Sequence, residues 1–212
     1  MLRQRLQASD LASPEHILPG PAATTGQLAL AHTREYIYKV DEGGLTEKEI
    51  RRMGFPWSTE LAQRSRHSVG STIAACRSAM QAGLGFNLGG GTHHACADHG
   101  QGYCVYNDAA VAARVIQQEK LADRVLIVDC DVHQGNGTAS ILQGDDSIYT
   151  FSIHGEKNFP FRKAASDLDI GLPDGTGDEE YLETLEGALA YIETRFIPDL
   201  VIYLAGADPY AG

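Results

Sequence analysis

Residues 125–138 read VLIVDCDVHQGNGT, and this stretch constrains the fold more than any other. Val125 to Val128 are a short, continuous apolar run. A strand buried on both faces of a parallel sheet has that pattern. Asp129, Asp131 and His133 then follow at every second position. Side chains on a strand alternate faces, so the three point the same way from the carboxyl end of the strand. Gly135 and Gly137 let the chain turn away. Ligands of open α/β sheets bind in the crevice at that edge. A single Asp at a strand end is ordinarily a turn former or a helix cap. Two Asp and a His in strict alternation are harder to explain so, because buried carboxylates are costly unless paired or bound to metal.

The remaining chain supplies more strands of this kind. Leu84–Leu88, Ile148–Ile153 and Leu200–Leu204 read as strands alternating with helices, which predicts βαβ units and a mostly parallel sheet with helices on both faces. A helix is expected from Thr46, whose spacing to Glu49 is that of a capping box, to about Met53. A longer one is expected from Ser58 to about Gln81, with Leu61, Val69, Ile73, Cys76 and Met80 near one stripe. Asn107 is a candidate N-cap for a helix reaching about Lys120. A short helix from Thr138 leads to Gly144, and Thr176 with Glu179 suggests another capping box and a helix to about Phe196. Residues 1–24 read as a short helix and an irregular segment, and 163–177 as an acidic, Gly/Pro-rich loop.

Composition excludes some functions. A net charge of -11 argues against a sequence-independent nucleic-acid binder, but suits a cationic peptide or polyamine substrate. No apolar run reaches transmembrane length, and the start lacks the apolar core of a signal peptide. Cys76, Cys96, Cys104 and Cys130 show no CxxC spacing, so a reduced, cytoplasmic setting is expected. Nothing in the residues indicates an oligomeric state.

Loops at one edge of a parallel sheet gather His93, His94, Asp129, Asp131, His133, His154 and Asp208. Asp131, His133 and Asp208 could supply three ligands and leave a position open, as catalytic zinc sites do. The paired histidines after Gly89–Gly91 would then be proton carriers. The residues alone point to metal-assisted hydrolysis of an amide, an ester or a related bond.

These motifs resemble the histone deacetylase superfamily, which includes acetoin-utilisation proteins and acetylpolyamine amidohydrolases. The matching stretches are GGGTHHA at 89–95, GYCVYND at 102–108, VDCDVHQGNGT at 128–138, TFSIHGEKNFPF at 150–161 and AGADP at 205–209. They stand in family order and cover most of the chain from about residue 25. HQGN and GEKNFPF are most similar to class IV-like members. The resemblance implies a three-layer α/β/α, arginase/deacetylase-like fold and a single catalytic domain over 1–212. It implies Zn²⁺ on Asp131, His133 and Asp208, with Fe²⁺ suited to the same ligands. It implies His94 as general base, His93 as its electrostatic or proton-shuttling partner and Asp129 bonded to His93. K⁺ would lie among Asp129, Asp131, His133, Ser152 and Ile153. Gly102, Tyr103, His154 and Phe159 would line an acyl-lysine channel.

Two departures from the family pattern stand out. Asn136 replaces the Asp that many members place behind the second histidine, which should make His94 less basic. The family's Gly-rich segment ending in a catalytic Tyr lies beyond Gly212, so the chain is expected to lack a C-terminal portion. The expected substrate is an acetyl-lysine protein or peptide. An acetylated polyamine is the alternative, as is a catalytically weak acyl-lysine binding module.

Overall fold

The computed structural model describes residues 2–9 and 13–209. Four parallel strands form one sheet in the order β3-β2-β1-β4: β1 Val125–Asp129, β2 Ile148–Gly155, β3 Leu168–Leu172 and β4 Leu200–Leu204. β1 lies between β2 and β4, with Asp129 level with Ser152 on one side and Leu204 on the other. All five β1 residues are buried, as its unbroken apolar run requires.

Helices cover both faces. α5 (Thr59–Ala82) and α6 (Asp108–Gln118) pack over Val125 and Ile127, while α8 (Asp178–Glu193) packs Ala188 and Ile192 over Leu126 and Val128. Successive β1 residues thus feed two separate cores, each fully buried aliphatic side chain contributing about 1.5–3 kcal/mol. α1 (Leu2–Gln7), α2 (Thr25–Leu28), α3 (Arg34–Glu42) and α4 (Glu47–Met53) precede this layer, and α7 (Asn136–Leu142) follows β1. Met1, residues 10–12 within the expected N-terminal irregular segment, and residues 210–212 lie outside the described residues.

The Thr46–Glu49 capping box forms with both of its reciprocal bonds. Ser58 caps α5 through the Leu61 N–H, and Asn107 caps α6 through the Ala110 N–H. Three expectations fail. Residues 84–88 form no strand: Asn87 bonds to Ser68 O and Thr72 Oγ1 on α5 instead, leaving Leu84, Phe86 and Leu88 exposed. β3 occurs inside the stretch expected to be a loop, because its alternation over Leu168, Ile170 and Leu172 is short and interrupted by Asp169 and Gly171. Thr176 does not cap α8; its hydroxyl donates to Pro173 O at 2.9 Å, and Gly177 is the N-cap. α7 also starts at Asn136 rather than Thr138. Gly137 is helical there, where a Cβ would lie 2.3 Å from Ala95 O and so forbid the close approach of α7 to the histidine loop.

Candidate active site

β1 ends at Asp129, so Asp131 and His133 lie on the turn beyond it rather than on the strand. Their alternation persists for a different reason. Asp129 Oδ1 accepts the Asp131 N–H at 3.1 Å, and Asp131 Oδ1 accepts the His133 N–H at 2.8 Å. Two successive Asx turns carry the chain forward in two-residue steps.

The histidine pair is placed by loops, not by a strand. Gly91 and Thr92 give their N–H groups to the buried Asp108 carboxylate at 3.1 and 2.7 Å. Asn107 Nδ2 donates to His93 O and Ala95 O at 3.3 and 3.2 Å, bracketing His94. His93 Nδ1 then meets Asp129 Oδ2 at 2.6 Å with both groups buried, and His94 Nδ1 donates to Asn136 Oδ1 at 2.7 Å. Because Asn136 presents an oxygen, His94 Nε2 carries the lone pair. The two rings lie 4.1 Å apart between centroids.

Their electrostatics diverge. Burial opposes a charged His93, yet the charge and hydrogen bond of Asp129 outweigh it and raise the pKa. Burial, reinforced by the neighbouring His93, lowers the His94 pKa to about 4 against the weaker support of Asn136. One histidine favours the cation and its neighbour the free base.

Asp131, His133 and Asp208 each offer a ligand atom, and these atoms lie within 4.8 Å of one another. His133 Nδ1 sits 3.0 Å from Asp131 Oδ1 and 3.2 Å from Asp208 Oδ2. The Val132 N–H donates to Asp208 Oδ1 at 3.1 Å and orients that carboxylate. Two carboxylates and an imidazole facing one point suit a divalent cation. His94 meets His133 edge-on at 5.9 Å, so the histidine pair and the donor set adjoin.

Around them, Gly102 has φ +56°, and a Cβ there would lie 2.5 Å from His94 Cδ2. Tyr103 is 67% exposed and packs edge-on to Phe55 at 5.3 Å. Phe159 meets His94 edge-on at 4.9 Å. His154 is buried, its Nδ1 3.0 Å from the Ser152 hydroxyl. A small cavity is lined by both Asp129 and Ser152; Ile153 is buried and is not part of its lining. Asp108, Gln134 and His32 were not singled out from the sequence. Asp108 only closes the GYCVYND stretch, and His32 lies far from every motif. Yet His32 Nδ1 donates to Cys96 O at 2.9 Å and its Nε2 accepts the Asn107 N–H at 2.9 Å.

The chain thus sets a His-His pair and an Asp-His-Asp donor set at one edge of a parallel sheet covered by helices. The chain belongs to the histone deacetylase domain family, whose model matches residues 1–212. It is 44% identical over 212 residues to an uncharacterized protein of Picosynechococcus, covering 100% of this chain and 71% of that one. It is 30% identical to the acetoin utilization protein AcuC of Staphylococcus aureus, over 94% of this chain and 57% of that one. The crystal structure of an HDAC homolog from Aquifex aeolicus superposes with TM-score 0.85 at 27% identity, over 99% of this chain and 62% of that one. An HDAC homolog complexed with SAHA superposes with TM-score 0.86 at 26% identity, with the same coverage. All four free cysteines are buried, and no helix among the described residues is long and apolar enough to cross a membrane.

Proposed function

We propose that residues 1–212 carry a single deacetylase-like catalytic domain that hydrolyses the amide of an acetylated, or otherwise acylated, lysine side chain. The observation that supports this best is the junction of a free-base His94, its Nδ1 committed to Asn136, with the Asp131–His133–Asp208 donor set.

Asp131, His133 and Asp208 would hold Zn²⁺ or Fe²⁺. When bound, such an ion lowers the pKa of water and polarises a carbonyl. His94 accepts the proton of the attacking water at Nε2. His93, held by Asp129, keeps positive charge where negative charge develops and has a proton to pass to the leaving amine. Asp129, Ser152 and the backbone of Asp131, His133 and Ile153 would hold K⁺; of these, Asp129 and Ser152 line one small cavity. Gly102, Tyr103 and Phe159, with the buried His154 behind them, would line the channel, where flat aromatic walls suit an aliphatic stem and exclude water. The net charge of -11 favours a cationic substrate surface, whether a peptide or a polyamine.

The test is zinc content, SAHA binding and hydrolysis of fluorogenic acetyl-lysine peptide and acetylpolyamine. It is run on this chain and on one extended through the family's Gly-rich, Tyr-ending segment. One zinc per chain and turnover by the extended form are expected. Unchanged zinc stoichiometry in Asp131→Ala would sink the ligand assignment, and zinc binding without any turnover would leave a binding module.

A further inference from the structure

The loop of residues 155–164, which carries Phe159, is fastened at both ends to the neighbours of His133. At its start the Gly155 N–H donates to Val132 O at 2.9 Å. At its end Ala164 is clasped by Gln134: the Ala164 N–H donates to Oε1 at 2.9 Å, and Ala164 O accepts from Nε2 at 2.9 Å. Gln134 is fully buried, and the same Nε2 also donates to Asp169 Oδ1 at 2.7 Å. A buried amide satisfied on both sides makes a stiff joint.

Between these ends the Glu156 N–H donates to Leu172 O at 2.8 Å and Asn158 Nδ2 to Val132 O at 3.4 Å, but the bonds that straddle Phe159 come from Lys163. The Lys163 ammonium donates to Asn158 O at 2.6 Å and to Pro160 O at 2.9 Å. Those two carbonyls belong to the residues on either side of Phe159. Bonds from a charged donor are roughly twice as strong as neutral ones. Removing the ammonium would free both carbonyls to turn toward water and would loosen the ring between them, with Asn158 still tied to Val132 O and Gly155 O. Phe159 in turn presses edge-on against His94, with ring centroids 4.9 Å apart and planes at 87°.

We propose that Lys163 is a positioning residue that holds Phe159 against His94 and thereby sets the size of the acyl group the site accepts. The selectivity half rests on reading Phe159 as a wall of the channel. The placement half rests only on the contacts above. A hydrophobic pocket discriminates one methylene by about 10–200-fold, so a relaxed wall should change preference by a measurable factor.

The experiment compares wild type, Lys163→Met and Lys163→Arg. Met has similar length and no donors, whereas Arg restores a charged donor. Each protein is labelled with 4-fluorophenylalanine, and the Phe159 signal is assigned from Phe159→Leu. In Lys163→Met the Phe159 fluorine resonance should shift or split while the other Phe signals stay in place, and Lys163→Arg should recover most of the wild-type signal. An unchanged Phe159 resonance in Lys163→Met overturns the proposal. So does a shift of all the Phe signals together, which would mark a general loss of structure. Acetyl- and butyryl-lysine peptides are then compared on the active form. Lys163→Met should raise the butyryl-to-acetyl ratio of kcat/KM by about tenfold, mainly through KM for the acetyl peptide. An equal fall in kcat for both peptides overturns the selectivity role. If wild type turns over neither peptide, the amidohydrolase reading fails along with the selectivity role, and the fluorine comparison still decides the placement.

Discussion

The two halves of the site are built on different principles. In the histidine half, the His93 and Asp129 side chains are 4% and 3% exposed, and each ring nitrogen that faces the protein has a partner. In the donor half, the Asp131, His133 and Asp208 side chains are 22%, 37% and 41% exposed, and two carboxylates crowd one imidazole. The first half is complete in itself. The second is open to solvent, and against burial its Asp131 carboxyl is held below the usual range by His93, whose Nε2 lies 3.8 Å from Oδ1, and by His133. Substitutions should therefore damage stability in one half and ligand binding in the other.

The largest effect expected is in the donor half. Asp131→Ala or Asp208→Ala should abolish zinc binding, measured by metal analysis after dialysis, with the metal-free melting temperature nearly unchanged. A clear loss of metal-free stability in Asp131→Ala would erase the distinction between the halves. Next, His94→Ala should keep zinc and lower turnover by roughly 10²–10⁴-fold, the usual contribution of a general base.

Asp129→Ala should leave His93 as a buried group without its counter-charge and cost about 3–5 kcal/mol in urea unfolding. A cost below about 1 kcal/mol, the scale of an exposed pair, would show that the buried dyad is not what holds this half together.

His32 tests whether the support of the histidine loop is also proton-sensitive. Burial lowers its pKa to about 4 from an ordinary 6.5. The unfolded chain thus binds a proton between those values that the folded chain refuses. Stability should be full above about pH 6.5 and fall as pH drops toward 4, by about 3 kcal/mol. His32→Gln should flatten that part of the urea-stability profile. The smallest effect is mass action: zinc at a hundredfold excess over its Kd should stabilise wild type by about 2.7 kcal/mol, and Asp131→Ala not at all.

Sequence legibility follows a similar division. β1, α5, α6 and their caps were readable because each rests on local chemistry: an apolar run, a stripe, or a side chain three residues from its N–H partner. The alternation of Asp129, Asp131 and His133 was readable because it follows one strand end, although Asx turns rather than pleating maintain its spacing. Residues 84–88 misled because alternating Leu84, Phe86 and Leu88 look like a strand, whereas Asn87 binds them to α5. β3 was hidden because five residues containing Asp and Gly carry too little pattern. Asn107, Asp108, Gln134, Lys163 and His32 were illegible in their supporting roles. Their partners lie 3 to 75 positions away, and hydrogen bonds to backbone carbonyls leave no trace in the identity of the acceptor.

Asp208 follows β4, whereas Asp131 and His133 follow β1, and these strands pair in parallel across 75 positions. Closing a loop of that length precedes any contact that rewards it, so such pairings form late and slowly. The donor set is therefore assembled in time as well as in space. On the proposed ligand assignment, a chain emerging from synthesis presents Asp131 and His133 early, and tight metal capture would wait for the last strand to dock. Time-resolved zinc uptake during refolding would then serve as a clock for completion of the sheet.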